Sequence, residues 1–119
     1  MMGGMEHQHG KAVFEGLSPL TRRLHTAIPD VYTSFRGLHT AAMAPGALDT
    51  KTKELIALAL SVLHQCDGGI ASLARGAVKA GATKQEAAEA LGVTFLMNGG
   101  PATVYAPRAY DAFCEFAGA

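Results

Sequence analysis

The chain is predicted to fold as an all-α domain, a compact bundle of about six helices that self-associates. Three observations carry this. Apolar residues recur at three- and four-residue spacing in one segment after another, the period of a helix with one buried face. Capping residues stand at the ends of those segments, as in Thr83 to Glu86 (TKQE). No segment alternates with the two-residue period of a strand, and no internal repeat is visible.

The elements follow in order. Residues 1–10 are Met, Gly, His and polar, and read as a flexible N-terminal tail; residues 11–119 form the single domain. Ser18 can cap a short first helix with Pro19 at its first position, and Leu20, Leu24, Ala27 and Ile28 share one face. Pro29 opens a second helix, running to about Met43 with Val31, Phe35, Leu38 and Ala42 as its apolar stripe, and Ala44-Pro45-Gly46 ends it in a turn. Asp49 or Thr50 caps a third helix. Between Leu55 and Leu63 that helix is apolar on nearly every side except Ser61, so it should be buried all round, by its own chain and by a neighbouring subunit.

The chain gives way around Gln65. A fourth helix begins near Asp67, with Ile70, Leu73, Ala77 and Val78 inward and Ser72, Arg75 and Lys79 outward, and Gly81 ends it. In the capping box the Thr83 hydroxyl serves the first turn of a fifth helix while Glu86 reaches back. That helix runs to about Met97 with Ala87, Leu91 and Phe95 inward. Pro101 opens the last, with Ala102, Ala106, Ala109, Phe113 and Phe116 on one face; Pro107 within it lacks an N–H for the Thr103 carbonyl and predicts a kink.

Composition narrows the function. Hydrophobic residues make up 49% of the 119 and charged residues 17%, more apolar surface than so small a domain can hide alone. Ten basic and ten acidic residues balance, which argues against a nucleic-acid footprint or a membrane-binding basic patch. The longest apolar run, Leu55 to Leu63, is too short to span a bilayer, and the N-terminal residues lack the apolar core of a signal peptide. Two distant cysteines make no disulfide framework, so a cytoplasmic, reducing setting is expected.

Chemistry centres on Cys66. It stands at the edge of the fourth helix, where free backbone N–H groups and the helix dipole favour a thiolate. His64, two residues upstream, would help as imidazolium, or make a hydrogen bond between helices or subunits instead. Asp67 opposes a thiolate by its charge. Gly68 and Gly69 leave space for a ligand or permit the turn. Neither the His7–His9 pair nor His64 with Cys66 has the further ligands a metal needs, and no cofactor is expected. Cys114, beside Phe113, reads as packing. His39 borders the apolar stripe of its helix.

Three blocks, LDTKTKELIALALSVLHQC, ARGAVKAGATKQEAAEALGV and GGPATVYAPRAYDAF, closely resemble the carboxymuconolactone decarboxylase family, over about residues 29–113. Its redox branch is the AhpD-like alkylhydroperoxidases. The resemblance implies an all-helical, AhpD-like fold assembled as a homotrimer or homohexamer. It also implies a pattern of Glu, then Cys-x-x-Cys, then His four residues after the second Cys. Glu54 and Cys66 match the Glu and the first, resolving Cys. Gly69 stands at the second, peroxide-attacking Cys, and Leu73 at the His.

On an antiparallel hairpin turning near Gln65, Glu54 would lie roughly 16 Å from the turn. Leu73 cannot pass a proton between it and the thiol; His39 is the imidazole that could replace the relay in space. The candidate catalytic residues are therefore Cys66, Glu54 and His64. The implied activity is hydroperoxide reduction by Cys66 as a one-cysteine variant, using an external thiol reductant. The alternatives are a non-catalytic member binding a small apolar or carboxylic ligand at a subunit interface, beside Gly68-Gly69, and decarboxylation of a muconolactone-type acid. With Leu73 in place, Glu54 also reads simply as a first-turn acid favoured by the helix dipole, and Leu73 as core.

Overall fold

The computed structural model describes residues 7–118. Among them are six helices and no strand: α1 (Gly10–Ala27), α2 (Pro29–Met43), α3 (Thr50–Leu63), α4 (Asp67–Lys79), α5 (Lys84–Asn98) and α6 (Ala102–Ala117). The core is built mainly by α3, α4, α5 and α6, with α1 laid along α4 and α6. Leu58, Val62, Ile70, Leu91 and Phe113 fill it, and alanines such as Ala74, Ala77, Ala109 and Ala112 let the helices approach closely.

Local signals set the helix ends. Asp49 accepts the Thr52 N–H at 2.8 Å and starts α3. Gln65 takes a left-handed φ of 54° and turns the chain, so that Cys66 becomes the N-cap of α4. Gly81, at φ 92°, follows α4 and relieves the strain a side chain would meet there. The Thr83–Glu86 capping box is complete, with Glu86 N–H to the Thr83 hydroxyl at 3.0 Å and Thr83 N–H to the Glu86 carboxylate at 2.8 Å. The same carboxylate takes Lys51 of α3 at 2.9 Å, pinning the first turns of α3 and α5 together.

Several expectations are corrected. The first helix does not begin at Ser18: α1 runs through Pro19 from Gly10. Pro19 and Glu15, whose carbonyl loses its partner, are both exposed, so water can take the place of the missing N–H. The tail expected over residues 1–10 lies outside the described residues for its first six. His7–Gly10 lie against the bundle, His9 meeting Asp111 at 2.6 Å and Gly10 being buried against α6. On α5 the inward residue of the last turns is Thr94, its hydroxyl bonded to the Leu91 carbonyl, while Phe95 faces out.

α2 carries its apolar stripe outward in the protomer. None of its residues is buried, and it packs mainly on α1 and α3. Val31, Phe35 and Leu38 are exposed and continue the apolar strip begun by Leu24 and Ile28. Within the protomer α3 is not covered all round by its own chain either. Ile56 and Leu60 line an open apolar groove of about 430 Å³ against Val93 and Met97 of α5. The radius of gyration, 14.8 Å, exceeds the about 13.5 Å of a compact single chain of this length. α2 stands off the bundle and carries apolar surface outward.

Candidate functional site

Cys66 is exposed, and its Sγ accepts the Gly69 N–H at 3.3 Å. This follows from local geometry. The α4 N-terminus leaves its first N–H groups without helical acceptors, and the N-cap side chain supplies one. Gly69 has ordinary helical φ, and a Cβ there would lie 3.3 Å from Cys66 Sγ and 3.6 Å from its Cβ. The space expected at Gly68 is partly occupied: a Cβ there would meet Leu17 of α1 at 3.0 Å. A cleft of about 310 Å³ beside it, between Phe14, Arg22, Gly68 and Ser72, is not lined by Cys66. His64 is the C-cap of α3, exposed, and its ring makes no hydrogen bond among the described residues. Cys114 is half-buried on α6 and pairs with Tyr110, whose hydroxyl it pushes above the usual tyrosine pKa.

Glu54 lies at the other end of the hairpin, over Gly76, about 15 Å along α4 from Cys66. It is not a solvated first-turn acid: it lies in the second turn of α3 and is 7% exposed. Gly76 makes the niche, since a Cβ at that position would come within 2.6 Å of Glu54 Oε1. That oxygen finds no hydrogen-bond partner among the described residues. Burial pushes the carboxyl above the usual glutamate range, and His39 of α2 pulls it partly back. The resulting contribution to stability is present below the ordinary glutamate pKa and is lost as pH rises through the raised value.

Glu54 opens onto a pocket of about 380 Å³ whose other walls include His39, Thr50, Leu73, Arg75 and Lys79. The structure thus brings Glu54 to His39 and keeps both Cys66 and His64 out of the pocket. Leu73 is half-buried and walls the pocket rather than filling the core. Leu73→Ala should therefore cost about 1–2 kcal/mol, below the ~2–5 kcal/mol of a fully buried leucine. Urea melts check this, and a loss above about 3 kcal/mol would mean the pocket is closed in solution. Arg75 and Lys79 had read only as a solvated face. The legible signal was Gly76, a glycine inside a helix where alanine would be more stable.

An all-helical bundle with a thiol capping one helix and a carboxyl buried at the far end of the same hairpin defines the class. The carboxymuconolactone decarboxylase family model matches residues 29–115, and the chain belongs to that family. It is 40% identical to a carboxymuconolactone decarboxylase family protein from Legionella pneumophila, whose crystal structure superposes with a TM-score of 0.85 over 89% of this chain and 95% of that one. A Thermotoga maritima structure gives a TM-score of 0.75 at 30% identity, covering 88% and 92%. An uncharacterized Cupriavidus necator protein is 37% identical over 76% of this chain and 80% of its own. An uncharacterized protein from the cox locus of Paracoccus denitrificans is 36% identical over 83% and 86%. No helix among the described residues is long and apolar enough to cross a membrane.

Proposed function

We propose that the chain is a slow, one-cysteine thiol-dependent hydroperoxide reductase acting through Cys66. The observation that carries this is the exposed Sγ seated on the Gly69 N–H at the N-terminus of α4. The thiolate attacks the outer oxygen of a hydroperoxide. The S–O bond forms as the O–O bond breaks, and the alkoxide leaves and takes a proton as the alcohol. An external dithiol reduces the sulfenic acid, releasing water and ending as a disulfide. A reducing, cytoplasmic setting would supply that dithiol.

The rate is low because Leu73 carries no proton and Glu54 faces another pocket. Cys66→Ser should abolish dithiol-dependent peroxide consumption, and dimedone labelling followed by mass spectrometry should place a sulfenic acid on Cys66 of the unmodified protein. Consumption undiminished in Cys66→Ser would end this reading.

The protomer is proposed to work as a homotrimer or homohexamer. The open α3–α5 groove, Leu96 at 84% exposure and the uncovered α2 strip support this, since contiguous apolar surface of this extent marks an interface. Light scattering at micromolar concentration should give at least three times the protomer mass; a stable monomer would refute it.

A further inference from the structure

Residues 7–10 form a strap seated on two helices at once. His7 Nε2 stands 3.4 Å from Asp67 Oδ1 on α4, and His9 Nε2 meets Asp111 Oδ2 on α6 at 2.6 Å. The two rings stack, with 5.4 Å between their centroids and 25° between their planes. Gly10, buried and at φ 57°, turns the strap into α1 where a Cβ would run into the Glu115 carboxylate, which accepts the Lys11 N–H at 3.0 Å. Asp67 follows Cys66 in the chain and opens α4. Its Oδ1 is buried and receives no hydrogen bond among the described residues, so His7 compensates it by charge, and only as imidazolium. His9 Nδ1 is also buried without a partner among them, a cost that the seated strap carries. Cys66 is exposed with the strap seated, so the strap does not cover the sulfur. What it changes is the charge beside it.

We propose that His7 and His9, when protonated, latch this strap onto α4 and α6, and that His7 thereby admits anionic reactants to Cys66 by cancelling the charge of Asp67. This rests on Cys66 being the reacting thiol. An anionic reactant, such as a hydroperoxide bearing a carboxylate or the thiolate of a reductant, must approach the sulfur at the start of α4. With the strap latched it meets an Asp67–His7 pair of no net charge. With the histidines neutral it meets an uncompensated carboxylate, and like charges repel. Neutral reactants pass either way. His7 is therefore a positioning residue that sets charge selectivity, and it touches no reacting atom.

The charged groups around the strap are accounted for. Asp67 faces His7 from α4, Asp111 faces His9 from α6, and Glu115 of α6 is turned to the Lys11 backbone. Arg75 of α4 lies over the Phe14 ring and Arg108 of α6 over the Tyr105 ring, and neither pairs with a carboxylate among the described residues. His64, the C-cap of α3, is exposed and its ring makes no hydrogen bond among them. The two histidines are thus the cations that hold Asp67 and Asp111. Histidine changes charge between about pH 5 and about pH 8, so both ion pairs are present in acid and are lost together as pH rises.

The test is the rate of Cys66 alkylation in the full chain by iodoacetate, an anion, against iodoacetamide, its neutral counterpart, read by mass spectrometry of the Cys66 peptide at low ionic strength. Both reagents attack the same sulfur, so the ratio of their rates cancels its ionisation and reports the charge around it. In the unmodified protein the iodoacetate-to-iodoacetamide ratio should fall about two- to threefold between about pH 5.5 and about pH 8. His7→Arg, a cation throughout, should keep the high ratio across that range, and His7→Gln the low one. Salt at about 0.5 M should bring the three proteins together. The proposal is overturned if the three ratios coincide at low salt, if the ratio in the unmodified protein does not fall with pH, or if His7→Arg falls as the unmodified protein does. Ratios that behave as expected in a protein that consumes no peroxide would remove the reductase assignment and leave the latch standing.

Discussion

Gly69→Cys with Leu73→His should raise dithiol-dependent peroxide consumption about a hundredfold over the unmodified protein, while each single change does little. The gain rests on geometry already present. Position 69 is ordinary helix, so a cysteine adopts it without backbone strain. Its Cβ would lie 3.6 Å from Cys66 Cβ, inside the span a disulfide bridges, so the new thiol could attack peroxide and Cys66 could resolve it. Position 73 is one turn further on and borders the pocket that Glu54 enters. A histidine there could therefore reach both the carboxyl and the new thiol, and a positioned general base contributes ~10²–10⁴-fold. Either part alone leaves the chain broken, by lacking the attacking sulfur or the proton carrier. Stopped-flow peroxide consumption with a dithiol reductant measures the effect. A double variant no faster than the unmodified protein would show that Glu54, turned toward His39, cannot be recruited.

Phe113→Ala should cost about 3–5 kcal/mol, a large part of the ~5–15 kcal/mol that holds a domain of this size. Phe113 is 1% exposed, on α6, which packs against α4 and α5, and the buried cluster it belongs to is largely alanine. Such short side chains cannot swing in to fill the void, so the cavity persists. Urea denaturation with an unchanged slope would give the loss directly. A cost below about 1 kcal/mol would mean that the α6 interface is loose or that the assembly, not the core, carries the stability.

The helix ends were legible because they are local. Asp49, Gly81 and the Thr83–Glu86 box act on backbone groups within a few residues, and each caps where its pattern said. Cys66 was legible as the edge of α4 for the same reason, since the turn at Gln65 and the helix after it lie within one short stretch. The start of α1 was not. Pro19 is compatible with a first helical position and equally with an exposed interior one, and only the solvation of Glu15 decides between them. The apolar stripe of α2 gave the period and left its partner open. Periodicity tells which residues share a face, but not whether the chain itself provides anything for that face to meet.

By itself, the sequence determined the all-helical class, the family, and that position 69 carries no sulfur and position 73 no proton carrier. Each of these is a matter of residue type at a position. Only the tertiary structure decided where Glu54 points. Its niche exists because Gly76, twenty-two residues away in the chain, lacks a Cβ where two antiparallel helices touch, and because α2 brings His39 alongside. The pKa of a carboxyl depends on what surrounds it in space: burial at the α3–α4 contact raises it and a charge from a third helix lowers it. No local pattern encodes that sum, so the same glutamate reads as a solvated helix-start acid in sequence and as a buried carboxyl with a raised pKa in the fold.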